Sequence, residues 1–343
     1  MIALKSIRSA LVGAAIAFVL PLAASAQGTI EKITVHGKSL EGNLEGDSPD
    51  RDVWVYLPPS YAKQSGRRYP VVYFLHGYTA HAETYWKMMS VPETADQAMS
   101  GGALNEMILV LPDAYTVYDG SMYSNSPTTG DWEDYISQDL VSYIDSHYRT
   151  IAARADRGLA GHSMGGYGTV RIGMKHPEVF SAIYAMSSCC LMNNPQPGRT
   201  TAPPAQKGDE KGRGPRMGKA LSAQAAAWAP NPMNPPQFFD LPEKDGEFRP
   251  VIAAKWVANS PLVMVDQYVP NLRKYRAIAM DVGLQDPLLA NNRDLDQALA
   301  RLGVTHSFET YEGTHVSRVK ERFAAKVLPF FSTNLVDKGG KSK

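Results

Sequence analysis

The sequence predicts an α/β protein built on a doubly wound, mostly parallel sheet with an antiparallel amino-terminal edge and a Pro-rich lid insertion. Three observations carry that expectation. Strands and helices alternate over about 300 residues, the pattern of a parallel sheet with helices on both faces. The runs Val71 to Leu75 and Met107 to Leu111 are uniformly apolar, as strands covered on both faces are. Gly161-His162-Ser163-Met164-Gly165 joins an apolar run to a helical pattern and reads as a sharp strand-to-helix turn.

Each element follows in chain order. Lys5 and Arg8 precede an apolar run from Ala10 to Leu20, and Ala24-Ser25-Ala26 offers small residues for cleavage. That is the pattern of a secretory signal peptide over residues 1–26, cut near Ala26. The run is short for a bilayer span, and no later segment is long and apolar enough to make one. The expectation is an exported protein, periplasmic or secreted, with no stable membrane span.

Ile30 to Val35 and Asp52 to Leu57 form the antiparallel edge, joined by a Gly- and Asp-rich turn and closed by Pro58-Pro59. Pro70 opens the buried strand Val71 to Leu75, which ends at His76-Gly77-Tyr78; a helix around Glu83 to Met89 follows. The strand Met107 to Leu111 ends at Pro112-Asp113. From Trp132 apolar residues recur at three and four, giving an amphipathic helix to about Tyr148. Arg157 to Ala160 leads into the turn, and a helix runs from Tyr167 to His176. Ser181 to Met186, Arg276 to Val282 and Ser307 to Tyr311 are strands. Asn292 to Leu302 is a helix stopped by Gly303, and Val316 to Leu335 is the last helix.

One stretch breaks the rhythm. Close to half of the 24 prolines lie between Leu191 and Pro250. The stretch has a charged, Gly-rich segment, Lys207 to Lys219, then an Ala-rich turn or two ending near Trp228. It reads as a lid with a flexible first half, at the strand ends where ligands bind in such sheets. The core is thus expected in two parts, 27–190 and 261–336, around an insertion at 191–260, with a flexible tail at 337–343.

The chain is 44% hydrophobic and 20% charged, with a formal net charge of +1, as ordinary globular proteins are. Near-neutrality gives no electrostatic reason to expect a nucleic acid partner. The two cysteines, Cys189 and Cys190, are adjacent and cannot form a disulfide framework. A vicinal disulfide is one reading; two small buried residues ending a strand is the favoured one. No C-x-x-C or H-E-x-x-H pattern suggests a metal, and no cofactor is expected.

The chemistry centres on Ser163. Gly161, Ser163 and Gly165 fit G-x-S-x-G, a nucleophile elbow in which glycines make room around a strained serine. A serine hydroxyl needs a base, and the base needs an acid to hold its tautomer; the two follow the serine as acid, then histidine. His306 precedes the last strand, whereas His315 follows it, on the same sheet edge as Ser163, and is the expected base. For the acid, Asp281 lies inside its strand while Asp286 lies just past it; Asp286 is favoured and Asp281 is the alternative. The oxyanion donors expected are the backbone amides of Met164 and of Tyr78.

The chain resembles the putative-esterase family of α/β hydrolases, which holds esterase D and S-formylglutathione hydrolases, feruloyl esterases and mycolyltransferase antigens. The resemblance runs from Asp52 to about Phe331. It is carried by Tyr73 to Tyr78, Gly120 to Pro127, Gly130 to Ile136, Gly161 to Gly166, Gly283 to Asp286 and Gly313 to His315. It implies an α/β-hydrolase fold and a carboxylic-ester hydrolase with Ser163, Asp286 and His315 as triad, and it strengthens Asp286 over Asp281. The family's histidine is often followed by an acidic residue and an aromatic; here Val316 and Ser317 follow His315.

Tyr115, Tyr118, Tyr123 and Trp132 follow the second buried strand, where they either stack on a phenolic or sugar ring or pack under the lid. Tyr123, Trp132 and His162 are the candidate substrate contacts. Glu133 and Asp134 are expected to serve the first turn of their helix. The expected function is an exported serine esterase acting on a small-molecule or carbohydrate-linked ester through an acyl-enzyme. The alternatives are an acyltransferase to a sugar or lipid hydroxyl and a catalytically silent binding protein.

Overall fold

A computed structural model describes residues 27–100, 102–198 and 216–335. The signal-peptide reading at 1–26, the first half of the lid at 199–215 and the tail at 337–343 lie outside the described residues. Eight strands form one sheet: β1 (Thr29–His36), β2 (Asp50–Leu57), β3 (Val71–Leu75), β4 (Ile108–Pro112), β5 (Arg157–His162), β6 (Ala182–Met186), β7 (Ala277–Gly283) and β8 (Ser307–Tyr311). Their spatial order is β1-β2-β4-β3-β5-β6-β7-β8. β1 pairs antiparallel with β2, and β2 with β4; every later pairing is parallel.

The apolar runs are explained by two buried faces. In β3, Val71, Tyr73 and Leu75 point into one core layer, while Val72 and Phe74 point into the other. Each such side chain, fully buried, contributes about 1.5–3 kcal/mol, so neither face tolerates the polar half of an alternating pattern. Over one face lie α1 (Ala82–Met88), α2 (Val91–Met99) and the carboxyl-terminal helix, α8 (319–334). The other face is covered by α3 (132–147), α4 (Met164–Lys175) and α7 (Leu289–Arg301).

The insertion holds more structure than the sequence suggests. In place of a turn or two, α5 (Arg216–Trp228) is a 13-residue helix whose buried Ala223, Ala225 and Ala226 allow close packing. Trp228 Nε1 donates to Ser124 Oγ (3.2 Å), and Ser126 Oγ donates to the Ala226 carbonyl (2.6 Å). α6 (Pro250–Ala258) follows, and Trp256 meets Trp228 edge-on. This second half is therefore anchored to the loop after β4.

Registers bring the chemistry together. Leu75 is level with Gly161, Gly161 with Ala185, and Gly283 with Tyr311. The carboxyl ends of β3, β5, β6, β7 and β8 thus share one edge, with Tyr78, Ser163, Asp286 and His315 in the loops that leave it. Among the described residues no helix is long and apolar enough to cross a membrane.

Candidate active site

Ser163 sits between β5 and α4 with φ 59° and ψ −115°, a region non-glycine residues rarely occupy. Its neighbours explain why the turn needs glycine. A β-carbon on Gly161 would lie 2.3 Å from the Gly165 carbonyl oxygen, and one on Gly165 would lie 2.0 Å from that of Leu75. The strain is held by backbone hydrogen bonds: Ser163 N–H donates to Met186 O (3.0 Å), and Cys189 N–H donates to Ser163 O (3.1 Å). Met164 opens α4, so its amide lies at the positive end of a 12-residue helix.

Ser163 Oγ is 2.9 Å from His315 Nε2, and His315 Nδ1 is 2.8 Å from Asp286 Oδ2. A carboxylate only accepts, so Nδ1 carries the proton and Nε2 is free to accept from the serine. The Asp286 side chain is 0% exposed and that of His315 is 29% exposed, so the imidazole alone faces outward. Burial pushes the Asp286 carboxyl up. Hydrogen bonds from His315 and the Leu288 amide (2.8 Å to Oδ1), the His315 charge and the nearby Ser187 hydroxyl outweigh it and hold the pKa below the usual value.

Asp281 is elsewhere. Inside β7 it is fully buried, and its Oδ2 accepts from Tyr184 Oη and Arg322 Nε, both at 2.8 Å. Arg322 also reaches both oxygens of Glu309 at 3.0 Å. Asp281 thus ties α8 to the sheet.

The loop after β3 approaches Ser163 closely: a β-carbon on Gly77 would be 3.3 Å from its Cβ. Tyr78 follows, its hydroxyl donating to the Tyr118 carbonyl (3.0 Å). His76 underlies the loop. The Ala114 amide donates to its Nε2 (2.8 Å), so its Nδ1 donates to Gly77 O (2.9 Å). Burial lowers its pKa and keeps it neutral.

Three expected substrate contacts need correcting. Tyr123, Trp132 and His162 are all 0% exposed and offer no surface to a ligand. Tyr123 Oη donates to His76 O (3.1 Å), beneath the loop that carries Tyr78. Trp132 Nε1 donates to Thr129 O (2.8 Å), with the Arg51 guanidinium 5.1 Å over its ring. His162 bonds internally through both ring nitrogens. Position after a strand (Tyr123, Trp132) or at its end (His162) gives their level in the sheet, but not which way each side chain turns. Tyr118, against Phe239, is partly exposed.

Glu133 does more than expected. It does lie in the first turn of α3, but its side chain is buried there and pairs with Arg171 Nε (2.8 Å) and Lys175 Nζ (2.6 Å) of α4. Cys189 and Cys190 are free thiols just past β6, partly exposed rather than buried. Sequence reasoning missed Gln285, which staples the loop after β7 to the loop after β8: its Nε2 donates to Glu312 (2.7 Å) and its Oε1 accepts from the Gly313 amide (2.7 Å). No local pattern signals such a pairing.

The chain matches the family described as "Putative esterase" over residues 48–328. An endo-1,4-beta-xylanase/feruloyl esterase of Xylanibacter ruminicola is 31% identical over 159 residues, 45% of this chain and 20% of that protein. The match spans about a fifth of that relative's length. Among solved structures, a ferulic acid esterase superposes with TM-score 0.64 at 23% identity, covering 90% of this chain and 98% of that one. An S-formylglutathione hydrolase of Staphylococcus aureus gives 0.59 at 17% identity, covering 89% and 99%. At these identities the likeness is one of fold, that of the α/β hydrolases. With the family matched over most of its length, the chain belongs to the putative-esterase family of α/β hydrolases.

Proposed function

We propose that the chain is a serine carboxylic-ester hydrolase. The observation that carries this reading is the unbroken line from Ser163 Oγ through His315 to a buried, ionised Asp286. Ser163 attacks the ester carbonyl while His315 Nε2 takes its proton. Asp286 holds the imidazole in the useful tautomer and stabilises the imidazolium. The amides of Met164 and Tyr78 receive the oxyanion, where one donor is worth about 10²–10³ in kcat. His315 then returns the proton to the leaving alcohol, and water, activated by the same imidazole, releases the acyl group.

Family membership and the feruloyl esterase relative support ester hydrolysis and make hydroxycinnamoyl esters of carbohydrates the first substrates to try. We further propose export, on the signal-peptide pattern of residues 1–26. The test is hydrolysis of short-acyl, long-acyl and feruloyl esters by the chain lacking residues 1–26, beside Ser163→Ala. Turnover that disappears in the variant supports the reading; equal activity in both sinks it.

A further inference from the structure

His162 is the residue before the nucleophile, and its ring is used on both sides. Nε2 lies 2.8 Å from the backbone oxygen of His315, and Nδ1 lies 2.6 Å from Tyr85 Oη. A carbonyl oxygen only accepts, so Nε2 carries the proton. Nδ1 is then a lone pair, and the Tyr85 hydroxyl must donate to it. Tyr85 in turn packs against the oxyanion loop: a β-carbon on Gly77 would fall 2.4 Å from its hydroxyl. One directed chain of bonds therefore joins Tyr85, packed against the loop after β3, to the elbow and the loop after β8.

That last loop has few other anchors. Glu312, Thr314, Val316 and Ser317 are exposed; apart from the His315 ring's own bonds to Ser163 and Asp286, the loop's other hydrogen bonds among the described residues run to the Asp286 side (Gly313 to Gln285) or within itself (Thr314 to Ser317). Those bonds set His315 against its acid. They do not set it against Ser163. The His162 bond does, because it ties the His315 main chain to the residue covalently joined to the nucleophile.

We propose that Tyr85 and His162 form a positioning strut that holds the His315 backbone at working distance from Ser163 and links it to the oxyanion loop. The choice of partners fits this use. The two imidazole rings are 4.8 Å apart, so a charged His162 would oppose the imidazolium that forms on His315 during turnover. A phenol and a carbonyl hold His162 neutral, where a carboxylate partner would favour its charged form. Burial, with the nearby His315, pushes its pKa down to about 3.

The inference rests on the serine-esterase reading, so the experiment separates the two. Steady-state kinetics on one p-nitrophenyl ester, with thermal melts, would compare wild type, Ser163→Ala, His162→Phe, His162→Gln and Tyr85→Phe. His162→Phe keeps shape and loses the donor; kcat should fall about 10- to 100-fold with KM within about twofold, since small misplacement of catalytic groups costs that much. His162→Gln places an amide N–H near the Nε2 position and should recover most of the loss. Tyr85→Phe, which leaves the Nε2 bond in place, should lose less than His162→Phe. Should His162→Phe fail to fold, low activity in Tyr85→Phe with a near-normal melt still supports the strut. Folded His162→Phe with wild-type kcat, Gln no better than Phe, or a change in KM alone would overturn it. An inactive Ser163→Ala beside an unaffected His162→Phe defeats the strut only. An active Ser163→Ala defeats the esterase reading, and the strut with it.

Discussion

Asp281 and Asp286 stand five residues apart at the end of one strand, in opposite surroundings. Asp281 lies within β7 and faces the layer beneath α8, where Arg322 and Tyr184 both meet one of its oxygens; the other has no partner among the described residues. Burial therefore prevails and its pKa is raised against the pull of Arg322. Asp286 lies past the strand, with a bond to each oxygen, and its pKa is lowered. Burial is common to both. What separates them is the number of oxygens satisfied and the sheet edge reached, and only Asp286 has an imidazole to orient.

The largest effect that could break this contrast is on turnover. Asp286→Asn should lower kcat about 10³- to 10⁴-fold, because an amide holds the wrong imidazole tautomer, with little change in melting temperature. Asp281→Asn should do the reverse. Removing one partner of a buried pair costs about 3 kcal/mol, read as a lower urea midpoint, while kcat per folded molecule stays near wild type. If Asp281→Asn proved the inactive variant, the assignments would be exchanged.

Acid sharpens the contrast further. An unfolded histidine takes up a proton below about pH 6.5, whereas folded His162 does so only near 3. The unfolded state then binds more protons between those values, so stability falls as pH drops from about 6.5 toward 3, by roughly 1 kcal/mol per pH unit. His76, also lowered, acts in the same direction. Asp286 adds to the loss below about pH 4, where its unfolded form protonates first. Melts from pH 7 to 4 should show this slope, and His162→Gln should flatten it.

The smallest effect belongs to Glu309, whose pKa is pulled down to about 2, chiefly by its bonds from Arg322. Its side chain is 44% exposed, and solvent screens the pair. Glu309→Gln should cost no more than about 1 kcal/mol, against the larger loss at Asp281, measured by the same urea titration.

What the sequence made legible was local or set by strand ends. The five-residue apolar strands, the glycine-flanked elbow and the placing of Asp286 past the sheet edge with Asp281 inside the strand each follow from period, sterics or position relative to the sheet edge. The long-range pairings were not legible. Tyr85 meets His162 across 77 positions, and Arg322 meets Asp281 across 41. A local pattern carries no trace of either. For the same reason Tyr123, Trp132 and His162 read as surface contacts although their rings turn inward, and α5 was underestimated because alanine-rich helices show little apolar contrast between faces.

The most direct test is covalent. The chain would be treated with a fluorophosphonate, which traps an activated serine, and the adduct mapped by peptide mass spectrometry in wild type and Ser163→Ala. A serine esterase built as described gives one adduct, on Ser163, lost together with ester hydrolysis in the variant. Labelling at another residue, or a Ser163→Ala protein that still labels and hydrolyses, would contradict it.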